Sequence, residues 1–212
     1  MNLTRLKKRF AGASVTVAGS SWSLTPEQLE LARSAGPVIA VNSTVFSAPF
    51  ADILYACDHD WWACHYGQLM LTDFVGVHFA YDEASVLAGY ADMQAHFPDG
   101  LPGNSSGHQA VQLAAQLGAA RICCIGMDMS NGPEGQRHFH AGHPPECATP
   151  YYPADNWRAQ FAELCERLAA DGVAVTQCSA GFLALAGVSC KLQADWIKEA
   201  PSDECGQTKS EH

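Results

Sequence analysis

Three imidazoles lie within one six-residue stretch, at His138, His140 and His143. An imidazole titrates near neutrality and carries a lone pair a metal can use, so the set can supply a general base, ligate a metal or simply make a polar loop. Spacings of two and three bring the rings together only in particular loop conformations, and no CxxC pair accompanies them. The expectation is a base and no metal site.

Two loops of small residues offer a different chemistry. Gly103-Asn104-Ser105-Ser106-Gly107 gathers hydroxyls, an amide and accessible N–H groups directly before a helical run, whereas an ordinary serine N-cap needs only one of them. Gly19-Ser20-Ser21 follows a strand-like run and can cradle a phosphate in the same way. It has neither GxGxxG nor a Walker lysine, so a plain strand-to-helix turn explains it equally well. Asn42, Asp58 and Asp128 each follow an apolar run, the place where an open parallel sheet presents ligand contacts. Asp128 reads as a ligand contact or as a carboxylate holding a neighbouring loop. Trp61-Trp62 could stack on a base, but adjacent aromatics on a helix more commonly divide into one core and one surface residue.

The elements that must position these residues follow from pattern. Ser14 to Ala18 is β-branched and apolar and reads as a strand. Thr25-Pro26-Glu27-Gln28 supplies an N-cap and a proline at the first helical position, opening a helix to about Ala35 that Gly36-Pro37 stops. Val38 to Val41 and Ala51 to Cys57 are the next strands, Phe74 to Ala80 another, and Glu83 to His96 a short helix. Then come a helix over His108 to Leu117, a buried strand at Arg121 to Ile125, an amphipathic helix over Trp157 to Ala170 and a strand at Val173 to Gln177. This alternation implies an α/β fold with a parallel βαβ sheet. Residues 1–197 are taken as one domain and 198–212 as a polar, disordered tail.

Composition narrows the function classes. The chain has 212 residues and a formal net charge of −10, which removes any general attraction to a nucleic-acid backbone or an anionic lipid surface. Its nine cysteines, odd in number, indicate neither a zinc ribbon nor a disulfide framework. Met1 to Phe10 is basic but leads into no signal-peptide core, and no run nears the roughly 18 apolar residues of a membrane span. A cytoplasmic location without a membrane partner is expected, and a homo-oligomer is compatible with the sequence.

Taken in order, several segments resemble a Rossmann-like group of bacterial lipooligosaccharide sialyltransferases, archaeal 6-hydroxymethylpterin diphosphokinases and uncharacterised tailed-phage proteins. They are Val17 to Leu24, Ile39 to Asn42, Ala51 to Asp58 with Trp61-Trp62, Asn104 to Gly107, and Leu117 to Asp128. The phage proteins are the most similar. The resemblance implies a doubly wound, mostly parallel sheet and assigns nucleotide contacts to Gly19, Ser20, Ser21, Asn42, Asp58, Asn104, Ser105, Ser106, Gly107 and Asp128. It also implies that His143, in Ala141-Gly142-His143-Pro144, is the general base, with His140 next. The chain departs from the sialyltransferases at Gly103, where they carry a basic residue, at Ser130, where they carry a tyrosine, and at Asp58, where they carry an asparagine.

The resemblance therefore implies a nucleotide-dependent transferase, glycosyltransferase-like, with a nucleotide sugar as co-substrate and no tightly bound cofactor. Its alternatives are ATP- and Mg²⁺-dependent diphosphotransfer, with Asp58 and Asp128 near the metal, and a phage accessory protein that sequesters a nucleotide without turnover.

Overall fold

The computed structural model describes residues 3–81, 90, 93–97, 99–144, 147, 153–182 and 185–199. The strands are β1 (Ser14–Ala18), β2 (Val38–Val41), β3 (Ile53–Tyr55), β4 (Val77–Tyr81), β5 (Met93–His96), β6 (Arg121–Ile125), β7 (Ala174–Gln177) and β8 (Ser189–Cys190). The helices are α1 (Leu3–Phe10), α2 (Pro26–Ala35), α3 (His59–Leu69), α4 (Ser106–Gln116), α5 (Ala154–Ala170) and α6 (Gln193–Lys198). All eight strands join one sheet in the order β5-β4-β3-β2-β1-β6-β7-β8, and every pairing is parallel.

Apolar residues fill both sides of the sheet, which is why the strands read as near-continuous hydrophobic runs. Val15, Val17, Ile39, Val41, Ile122 and Cys124 face α1, α4 and α5. Their neighbours Ala18, Val38, Ala40, Cys123 and Ile125 face α2, α3 and α6. Helices on both faces of a parallel sheet make this an α/β protein consistent with a Rossmann-like, doubly wound arrangement. Among the described residues, no helix is long and apolar enough to cross a membrane.

Local chemistry explains the element ends. The Thr25 side chain accepts from Gln28 N–H while the Gln28 side chain accepts from Thr25 N–H, so α2 opens on a reciprocal capping box with Pro26 at its first position. The Asp52 carboxylate accepts from Val38 N–H at 3.0 Å and pairs with Arg9 Nε at 2.6 Å, which ties α1 to the entry of β3. Arg121 lies over the Trp196 ring at 4.5 Å and donates to the Trp196 carbonyl at 2.9 Å, fixing α6 beneath β6.

The structure corrects several expectations. β3 is confined to Ile53–Tyr55, because Asp52 is committed to Val38 and Arg9. Of the helix expected at Glu83 to His96, residues 82–89 lie outside the described residues, and Met93–His96 is instead a strand pairing with β4. Trp61 and Trp62 are both buried in α3, the second donating to the Ala56 carbonyl at 3.0 Å, so neither is a surface residue. Nearly all of the expected tail lies outside the described residues.

Candidate functional site

The chain builds β1 to β5 outward on one side of β1 and then returns to place β6 on the other, so strand order reverses between β1 and β6. Ligands of doubly wound sheets bind at the carboxyl end of such a reversal. Here the two following loops are pressed together. Gly19 N–H donates to the Ile125 carbonyl and Ser21 N–H to the Gly126 carbonyl, both at 2.8 Å. A Cβ on Gly19 would lie 2.3 Å from the Gly126 oxygen, and one on Gly126, at φ +57°, 2.7 Å from the Gly19 oxygen. Two glycines are required because two backbones touch. Ser20 and Ser21 are half-buried above this contact.

The second loop also caps a helix and does more. Ser105 is the N-cap of α4, its hydroxyl accepting from His108 N–H at 3.3 Å and hydrogen-bonding His108 Nδ1. His108 Nε2 faces the Trp157 carbonyl at 3.0 Å, so that nitrogen carries the proton and Nδ1 accepts from Ser105. Burial lowers the pKa of this fully enclosed ring to about 4, against the bond to Trp157. Ser105 is thereby a hydroxyl fixed by a neutral imidazole. Ser106 accepts from Cys57 N–H and donates to Cys57 Sγ, both at 3.0 Å, locking the start of α4 to the end of β3. Asn104 is exposed and accepts from Trp157 Nε1 at 3.1 Å. Gly103 has φ +119°, and a Cβ there would strike His108 Cβ at 2.4 Å. The basic side chain of the sialyltransferases has no room at this position.

Asn42 and Asp58 lie at the ends of β2 and β3, on the same edge of the sheet as Ser20 and Ser105. Asn42 takes a left-handed backbone, φ 52°, and its Oδ1 is buried without a hydrogen-bond partner. Asp58 is exposed at the start of α3. Asp128 is wholly buried, and its carboxylate accepts from Ser23 Oγ at 2.6 Å, Gly181 N–H at 2.8 Å and Ser23 N–H at 3.3 Å. Burial raises its pKa while these bonds oppose the rise. Asp128 joins the loops after β1, β6 and β7 and has no oxygen turned to a ligand. The residues therefore do not fit a Mg²⁺ ion held between Asp58 and Asp128.

The imidazoles meet as the sequence could only suggest. His138 stacks on His140 with ring centres 5.0 Å apart, and His143 packs edge-on against both, at 4.9 and 5.2 Å. Their loop is fastened to the β1 loop: Ser21 and His138 form an antiparallel bridge, and the Ser20 carbonyl accepts from Phe139 N–H and faces His138 Nδ1, both at 3.3 Å. His65 of α3 packs against His143 at 5.7 Å, and Cys147 Sγ is 3.8 Å from His65 Nε2. Burial, then the neighbouring rings, lowers the pKa of His143 to about 4. Burial is also the first cause of the lowered values at His65, His138 and His140. His65 and Cys147 escaped the sequence reading, since only the fold brings α3 to this loop.

Two surface hollows, of about 240 and 530 Å³, flank α2, the first touching Phe139 and the second lined by Gln177 to Ala180. Neither is lined by Asn42, Asp58 or Ser105. No disulfide joins the eight cysteines among the described residues. No family model matches the chain, and no curated protein matches it either. Fold and site define a Rossmann-like α/β protein with a polar edge at the strand reversal and an imidazole cluster beside it.

Proposed function

We propose that the chain is a nucleotide-dependent group-transfer enzyme, moving a sugar or related group from a nucleotide donor to an acceptor hydroxyl. The observation that carries this reading is the bridge between Ser21 and His138, which holds the imidazole cluster against the first strand's loop. On the same edge, Asn42 Oδ1 lacks a partner and the first turn of α4 presents N–H groups beside Ser105. A helix N-terminus of this kind favours phosphate, and Asn42 is suited to a base or ribose donor group. The cluster supplies the acceptor side, with His143 at its centre and His140 beside it.

Thermal shift against nucleotides and nucleotide sugars tests the reading, because a ligand that binds only the folded state raises its stability by about 2.7 kcal/mol at a hundredfold excess over Kd. A rise with one base class, followed by product formation from its sugar conjugate, is the expected result. No shift with any nucleotide at millimolar concentration defeats it, and binding without turnover reduces the protein to a sequestering module.

A further inference from the structure

We infer that His138, His140 and His143 form a binding site for a zinc-type divalent transition metal, with a fourth position open to water or an acceptor hydroxyl. The three offer ligand nitrogens all within 4.8 Å of one another. Two nitrogens of these rings, His140 Nε2 and His143 Nδ1, are buried with no hydrogen-bond partner. Buried polar atoms are ordinarily satisfied, so two orphans in one cluster mark an absent ligand. His138 is already oriented for the task. Its Nδ1 turns to the Ser20 carbonyl, which leaves Nε2 with the lone pair, the arrangement by which a backbone carbonyl fixes the tautomer of a ligating histidine.

The donor set selects the metal class. Neutral imidazoles suit zinc, cobalt, nickel or copper, whereas magnesium and calcium require oxygen ligands, and among the described residues no carboxylate belongs to this cluster. Three protein ligands with an open position is the pattern of catalytic zinc, in which the metal makes a bound water or hydroxyl acidic. Crowding and burial that weaken each ring as a proton acceptor are no obstacle to a metal, because ligation needs the neutral form. One adjustment is required. Gly142 N–H donates to His140 Nδ1 at 3.2 Å, so ligation through Nε2 moves that ring's proton to Nδ1 and gives up the Gly142 bond.

A second triad, His65, His143 and Cys147, shares His143. It is the weaker candidate, because Cys147 Sγ and His65 Nε2 already face one another and it holds only one of the two orphaned nitrogens, the shared His143 Nδ1. The inference does not depend on the transferase reading. If both hold, the acceptor hydroxyl is activated at the metal rather than by a free imidazole.

The test uses the full chain, stripped with chelator and titrated with Co²⁺ and Zn²⁺ at neutral pH without nucleotide. The expected result is one equivalent bound at micromolar affinity or tighter, visible cobalt absorption of a four-coordinate site, and a raised melting temperature. His140→Ala and His143→Ala should each weaken binding at least tenfold, and His59→Ala, at an exposed position outside the cluster, should not. Circular dichroism of the stripped variants separates lost ligation from lost fold. Should both variants be misfolded, His138→Gln and a histidine-proton NMR titration of the wild type with Zn²⁺ decide the matter. Sub-stoichiometric binding, or affinity unchanged in the histidine variants, overturns the site. A thiolate-to-cobalt band that vanishes in Cys147→Ser while His138→Gln and His140→Ala bind normally overturns the ligand assignment.

Discussion

Ser21 and His138 form an isolated antiparallel bridge, so the imidazole loop takes its position from the loop that follows β1. That loop is in turn held by Gly19 and Gly126, whose backbones touch where strand order reverses. The cluster is thus registered to the sheet through two short backbone contacts, without a strand or helix of its own.

Gly19→Ala and Gly126→Ala should each be destabilising. A Cβ at Gly19 meets the Gly126 oxygen at 2.3 Å and Met127 Cγ at 2.7 Å, and one at Gly126 adds a left-handed backbone to its clash. Overpacking of this kind costs about 1–3 kcal/mol. For a chain of this size the melting temperature should fall by several degrees, since 1 kcal/mol corresponds to roughly 2–4 °C. Differential scanning calorimetry reads the loss. Unchanged melting in both variants would show that the two loops are separable.

Asp128→Asn should destabilise the fold although it barely changes the shape of the side chain. All three partners of the carboxylate are donors, the Ser23 hydroxyl and the N–H groups of Ser23 and Gly181. An amide presents its own donors to one side of that set, leaving a buried donor unpaired at about 1–3 kcal/mol. Chemical denaturation should show a lower midpoint with an unchanged slope. A variant as stable as wild type would return Asp128 to the list of ligand contacts.

Much of this frame was legible because local chemistry and tertiary structure agree. β1, β2 and β6 are apolar runs, largely β-branched at β1 and β2, closed by glycine or a polar residue, and the Thr25-Gln28 signature forms the capping box it encodes. β5 was illegible for a physical reason: Met93-Gln94-Ala95-His96 contains no β-branched residue and becomes a strand by pairing with β4. The close spacing of His138, His140 and His143 announced a cluster, but His65 and Cys147 could not be found by spacing. Asp128 illustrates a different limit, since a strand-end carboxylate looks the same in sequence whether it faces a ligand or two neighbouring loops.

Stability should fall on mild acidification through His96 and His108. Burial lowers both rings to about 4 in the folded protein, whereas an unfolded chain returns them to about 6.5. Between these values the unfolded state binds more protons, so stability is complete above about pH 6.5 and is lost as pH drops toward 4. His108 meets the Ser105 hydroxyl, the Trp157 carbonyl and the Phe161 ring, and His96 meets Tyr55, Gln116 and Asp99. For fully enclosed His108 the loss is at most roughly 3 kcal/mol. Urea midpoints measured from pH 7 to 4 check this, and His108→Gln should flatten the profile. An acid profile identical in that variant would assign the loss to other groups.

Asn42→Gly distinguishes a binding residue from a structural one. A left-handed backbone costs an ordinary side chain about 1–2 kcal/mol, and glycine adopts it freely. The φ of 52° at Asn42 is therefore retained without strain when the side chain is removed. Its Oδ1 has no hydrogen-bond partner in the free protein, so deleting it breaks no bond and relieves a buried acceptor. Stability should stay within about 0.5 kcal/mol of wild type, the range of substitutions that disturb no packed feature. If the oxygen instead awaits a donor group on a nucleotide, affinity should drop by about tenfold, the equivalent of one hydrogen bond of about 1.4 kcal/mol. Paired melting curves with and without the nucleotide found by screening give both quantities from one preparation. A variant that melts several degrees early with affinity intact would make Asn42 a structural residue of the β2 turn and remove it from the site.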